Sequence, residues 1–136
     1  AAARCAADAE FLPNISREEK VSFLRSLTLL SVPATYGEAF GMYLLEAWAA
    51  GVPVVQPRCA AFPEMIGATG AGRLFEPANT ESLMEEWEWM LAHPAESREM
   101  GRRGRDAVES KFSLSQMAER FLELTREKLD APAAAH

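Results

Sequence analysis

A chain of 136 residues, 49% hydrophobic and 25% charged, has the size and balance of one soluble globular domain. Its formal net charge of −6 argues against a nucleic-acid-binding surface as the main role, because phosphate binding needs clustered Lys and Arg. The one basic cluster, Arg98, Arg102, Arg103 and Arg105, is interleaved with Glu96, Glu99, Asp106 and Glu109 and reads as a solvated, ion-paired helix face.

Residues 1–10 are Ala-rich with scattered charges and read as a helix end or a disordered tail. The folded domain is expected over residues 11–130, with a disordered tail at 131–136. Phe11-Leu12 is stopped by Pro13-Asn14. Ser16-Arg-Glu-Glu19 is a capping box that opens a helix to about Leu27, with Val21, Leu24 and Leu27 inward. Thr28 to Val32, ended by Pro33, reads as a buried strand. A loop from Pro33 to Phe40 leads into a helix from about Gly41 to Ala50, closed by Gly51 as a left-handed residue.

Val52 to Gln56 is the next buried strand, bounded by Pro57. Pro63 suits the first turn of a short helix to about Ile66, and a third strand follows at about Gly72 to Glu76. Asn79 caps a helix carrying Leu83, Met84, Trp87, Met90 and Leu91 at helical spacing. Trp87 and Trp89 face opposite sides of it, so at least one is expected to be exposed, with Trp89 the candidate. Pro94 starts another helix, with Met100, Ala107 and Val108 inward; His93 before it reads as a cap or surface residue. Ser113-Leu-Ser-Gln116 is a second capping box, for a last helix with Leu114, Met117, Phe121, Leu124 and Leu129 along its apolar stripe. The alternation predicts an α/β fold, a partial Rossmann-like parallel sheet with helices on both faces and a helical C-terminal tail.

Cys5 and Cys59 stand in no paired motif, which fits a reducing compartment. No apolar run reaches the roughly 18 residues of a membrane span, and no signal peptide is visible. The missing initiator Met and the Ala-rich ends suggest a piece of a longer polypeptide.

The 19 residues from Ala39 to Pro57 hold one charge, Glu46, and Glu38 stands just before them. Burying an ionised carboxylate costs several kcal/mol unless partners offset it. In an open parallel α/β sheet, ligands bind where strand carboxyl ends lead into helices. The backbone N–H groups of about Phe40 to Tyr43 are the unpaired donors of such a helix start, and Gly41 lets a ligand approach closely. At the helical rise, Glu38 and Glu46 lie on the order of 10 Å apart. That is too far to share a proton and suits opposite ends of one elongated anionic ligand. Two readings stay open for each carboxylate. Glu46 is either a structural acceptor for a nearby backbone or Arg group, or a ligand acceptor. Glu38 is either a solvated loop residue or a ligand contact.

The segment Tyr36-Gly-Glu-Ala-Phe-Gly-Met-Tyr-Leu-Leu-Glu-Ala-Trp-Ala-Ala-Gly-Val-Pro-Val-Val55 resembles the E-x7-E segment of family 4 retaining glycosyltransferases. The likeness continues through Phe62-Pro-Glu64, Gly72-Arg-Leu-Phe-Glu-Pro77, Gly101 to Gly104 and Lys111-Phe-Ser113, covering about Phe11 to Lys128. It implies a GT-B architecture, with this chain the later part of the C-terminal, donor-binding domain. By the same resemblance Glu38 contacts the hydroxyls of the transferred sugar and is the catalytic candidate. Glu46 accepts from the nucleotide ribose, and the backbone of Phe40, Gly41, Met42 and Tyr43 faces the donor's sugar and phosphates.

Two departures are visible. Ala60-Ala61 stands where the family commonly has glycine, and alanine resists positive φ. Pro13 stands where a glycine often ends the preceding strand. Glu64 reads as a helix-start carboxylate or as a border of the nucleotide site.

The resemblance implies a transferase moving a sugar from a nucleotide sugar to an unidentified acceptor hydroxyl, in the cytoplasm or at the inner membrane face if the acceptor is a lipid. No cofactor and no metal are expected; no Asp-x-Asp motif is present. The acceptor domain and the diphosphate-binding Arg and Lys would lie upstream, so the isolated chain is expected to be inactive and to self-associate. The alternatives are a non-catalytic nucleotide-sugar-binding or scaffold module, and an interaction domain built on the helical tail.

Overall fold

The computed structural model describes residues 9–35 and 40–130 of the chain. Expectations for residues 1–8, for 36–39, Glu38 among them, and for 131–136 lie outside the described residues.

Helix α1 (Arg17–Ser26) begins on the expected capping box: Ser16 accepts from the Glu19 amide, and the Glu19 carboxylate accepts from Ser16 N–H. Its inward residue is Leu24, whereas Val21 stays exposed. Strand β1 (Leu30–Ser31) follows, shorter than expected and only half-buried, because it lies at the edge of the sheet. Helix α2 (Met42–Ala49) runs from a left-handed Gly41 and is followed by Gly51 at φ 79°. Strand β2 (Val54–Pro57) is buried at every position. Helix α3 (Phe62–Thr69) takes Pro63 in its first turn, where no N–H is needed, and extends one turn past the expected end to a left-handed Gly70. Strand β3 (Gly72–Phe75) completes a sheet of three parallel strands in the order β1-β2-β3.

Register sets the faces. Leu30 pairs with Val54, and Val54 with Gly72. Alternation along β2 then sends Val54 toward α2 and α3 and Val55 to the opposite face. The first face packs on Leu44, Ala47 and Trp48 of α2 and on Phe62, Met65 and Ile66 of α3. The second packs on Leu83 and Met90 of helix α4 (Thr80–Ala92). A sheet buried on both sides explains why β2 is buried at every position, Gln56 included. At the centre of the larger core, the fully buried Trp48 satisfies its ring N–H by donating to the Ala71 carbonyl at 3.0 Å.

Asn79 caps α4 as expected, accepting from the Ser82 amide at 3.0 Å. Leu83 and Met90 are its buried residues, while Met84, Trp87 and Leu91 of the expected stripe are exposed. The tryptophan expectation is corrected. Trp87 is the exposed ring, whereas Trp89 is half-buried between the Arg73 guanidinium, 4.0 Å from its centroid, and His93, stacked at 4.3 Å. Arg73 is held there by an ion pair with Glu86. His93 closes α4, its Nδ1–H donating to the Trp89 carbonyl at 2.7 Å.

Helix α5 (Pro94–Lys111) crosses the amino end of the sheet and buries Gly101, Gly104 and Ala107, with Met100 and Val108 against the two cores as expected. Its outer face carries Arg102 paired with Glu99 and Asp106, and Arg103 paired with Glu99, the solvated arrangement expected from the sequence. Helix α6 (Leu114–Asp130) starts with Ser113 accepting from the Gln116 amide at 3.3 Å, one arm of the expected box. Its apolar stripe is not inward. Leu114, Met117, Phe121 and Leu124 are all exposed, and the packing of α6 against the described elements is mainly on α5. None of the helices described is long and apolar enough to cross a membrane.

Candidate functional site

The carboxyl ends of β1 and β2 lead into the starts of α2 and α3, so these helix N-termini gather at one end of the sheet. At the other end α5 packs on Gly51 and Pro53, where β2 begins.

At the start of α2, Gly41 is buried and left-handed at φ 70°, and it offers no side chain to cap the helix. Leu44 N–H bonds back to the Gly41 carbonyl at 2.8 Å, tightening the first turn. A helix start led by glycine turns the positive end of the helix dipole toward an incoming anion. Phe40 and Met42 are exposed beside it. Tyr43 is half-buried, its ring 6.4 Å from that of Phe62 at the start of α3.

Glu46 lies in the second turn of α2, and two expectations about it change. Its side chain is 39% exposed, so the carboxylate is not the buried charge that its apolar neighbourhood in sequence implied. It has a partner that sequence reasoning had not assigned: Lys20 of α1, whose Nζ lies 2.7 Å from Glu46 Oε1. A pair separated by 26 residues leaves no local signal; only the packing of α1 beside α2 creates it. The two side chains share a groove of about 440 Å³ with Arg17, Arg25, Val21, Leu24, Ala49 and Ala50.

The structure therefore brings together Phe40, Gly41, Met42, Tyr43 and Glu46 along α2, and adds Lys20. Glu38 lies outside the described residues. Glu64 is an exposed first-turn carboxylate of α3, where the helix dipole favours it. Arg58 is exposed and paired with Glu76 at 3.0 Å. In the loop before α3, Ala60 takes the left-handed conformation at φ 52°. Alanine holds this conformation at a cost of roughly 1–2 kcal/mol. Cys59 is a free, half-buried thiol.

Comparison with known proteins matches this geometry to one family. The chain is 34% identical over 105 residues to the MMP alpha-(1->4)-mannosyltransferase of Mycolicibacterium hassiacum, a match covering 76% of this chain and 25% of that protein. Among solved structures, sucrose-phosphate synthase from Thermosynechococcus elongatus superposes with a TM-score of 0.78 at 27% identity, over 90% of this chain and 31% of that one. The C-terminal domain of the group 1 family glycosyl transferase LpcC from Francisella tularensis shares the fold, with a TM-score of 0.66 at 24% identity over 78% of this chain and 53% of that domain. The chain thus spans about a quarter of the mannosyltransferase and about a third of the synthase. Residues 2–107 match the model of the family described as "Glycosyl transferases group 1", and the chain belongs to that family.

Proposed function

We propose that this chain forms the donor-binding wall of a glycosyltransferase that moves a sugar from a nucleoside diphosphate sugar to an acceptor hydroxyl with retention of configuration. The observation that carries the reading is the left-handed glycine start of α2 at the carboxyl end of the sheet, with Glu46 one turn further along the same helix. The backbone of Phe40, Gly41, Met42 and Tyr43 faces the donor's sugar and diphosphate. Glu46 accepts from the ribose. Glu38 orients the transferred sugar, a positioning role and not that of a nucleophile.

The departing diphosphate needs electrostatic stabilisation, and helix N–H groups supply part of it. Lys20 and Arg58 are engaged by Glu46 and Glu76, which favours further cations coming from another part of the parent protein. The reading requires no metal. The acceptor side of the cleft would come from the same missing part, so this chain alone binds donor without transferring sugar.

Calorimetric titration of the chain with UDP-glucose and GDP-mannose tests the site. Binding is expected with one of them, weakened about tenfold or more by Glu46→Ala, the scale of a lost hydrogen bond to a charged group. In the full-length parent, Glu38→Ala is expected to lower turnover by on the order of 10²–10³-fold. Near-normal transfer by that variant would sink the assignment. Donor binding by the parent without turnover across many acceptors would favour a nucleotide-sugar sensor instead.

A further inference from the structure

We infer that Lys20 is a positioning residue that sets the ribose selectivity of the donor site, an inference that rests on Glu46 being the ribose acceptor. The two residues come from separate helices, and the capping box at Ser16 and Glu19 fixes where α1 begins, one turn before Lys20. Lys20 Nζ engages Glu46 Oε1 at 2.7 Å. A carboxylate held by one charge-assisted bond presents its second oxygen in a defined direction. Oε2 is then the acceptor offered to a ribose hydroxyl.

Two features favour a ligand role over a purely structural one. The side chains are 44% and 39% exposed, and an ion pair so open to water contributes little to stability. The pair also lines a groove together with Val21, Leu24, Ala49 and Ala50 and with two further cations, Arg17 and Arg25. No ion pair engages either arginine among the described residues. An unrestrained Glu46 would be free to swing between these cations and the ribose. Lys20 holds it at one position. It also offsets the negative charge of Glu46, which would otherwise oppose an anionic diphosphate.

The test compares the 136-residue chain with its Lys20→Met and Lys20→Arg variants, using UDP and GDP and the 2′-deoxy form of each. Wild type is expected to bind the ribonucleotide about tenfold more tightly than its 2′-deoxy form, as one charge-assisted hydrogen bond dictates. Lys20→Met should bring that ratio close to one with no large change in melting temperature. Lys20→Arg should restore most of it. A Lys20→Met variant that keeps the wild-type ratio, or weakens both ligands by the same factor, overturns the inference. So does a large loss of melting temperature, which would make Lys20 a folding residue. Nucleotide binding without a ribose preference in wild type would instead defeat the ribose reading of Glu46. A preference lost in Glu46→Ala but kept in Lys20→Met would leave that reading standing and remove Lys20 from it.

Discussion

Glu99 accepts from both Arg102 and Arg103 on the solvent face of α5. The Arg102 hydrogen bond is the larger cause that holds its carboxyl down to about 2 from the ordinary 4.5, against a smaller opposing effect of burial. A depressed carboxyl contributes stability that is present above its unfolded value and lost as pH falls through its folded value. The contribution therefore fades between about 4.5 and about 2. A carbon-detected NMR titration of Glu99 is expected to give a midpoint near 2, moving back toward 4.5 in Arg102→Ala. An ordinary midpoint in the wild type would show that the pair is not formed in solution. Gln56 illustrates the converse at residue scale. It is fully buried on β2 beside Val54, Val55 and Pro57, and neither polar atom of its amide has a partner among the described residues.

Between elements, two glycines decide how α5 lies across α2. A Cβ at Gly104 would fall 2.6 Å from Trp48 Cδ1, and one at Gly101 would run into the Gly51 carbonyl oxygen. Both neighbours are rigid. Gly104→Ala is expected to cost about 1–3 kcal/mol from overpacking, outweighing the gain in helix propensity of about 1 kcal/mol. Gly67, exposed within α3 with nothing near its missing Cβ, is the control. Gly67→Ala is expected to stabilise by about 0.5–1 kcal/mol. Urea unfolding of both variants checks the pair of signs; equal shifts would mean that backbone freedom, and not packing, governs Gly104. The guanidinium of Arg105 adds to this contact by donating to the Ala49 carbonyl at 3.2 Å, where the C-terminus of α2 favours a cation. Helix ends were legible in the sequence because Ser16, Asn79, Pro63 and Gly51 act on backbone within a few residues of themselves. The α6 stripe misled because periodicity says that a face is apolar, not that anything covers it.

Across the whole molecule, the described sheet has β1 at one edge, pairing through two residues, with no further strand beyond it among the described residues. Phe11, Val21 and Phe23 and the α6 stripe add exposed apolar surface. An open strand edge together with such surface favours association. Light scattering over a rising concentration series is expected to show the mass climbing above that of the 15.0 kDa chain. A constant monomer mass at high concentration would mean that the edge is protected.

The sequence by itself determined the caps, the breaks, the parallel α/β order and the E-x7-E segment, including the helix start at Gly41. These depend on residues close together in the chain, where spacing alone fixes the geometry. Only the tertiary structure decided that Lys20 meets Glu46, that Trp48 donates to Ala71 and that two glycines of α5 admit Trp48 and the Gly51 carbonyl. Each of these joins groups more than twenty residues apart, so the contact exists only once helices and strands have packed, and no local pattern records it.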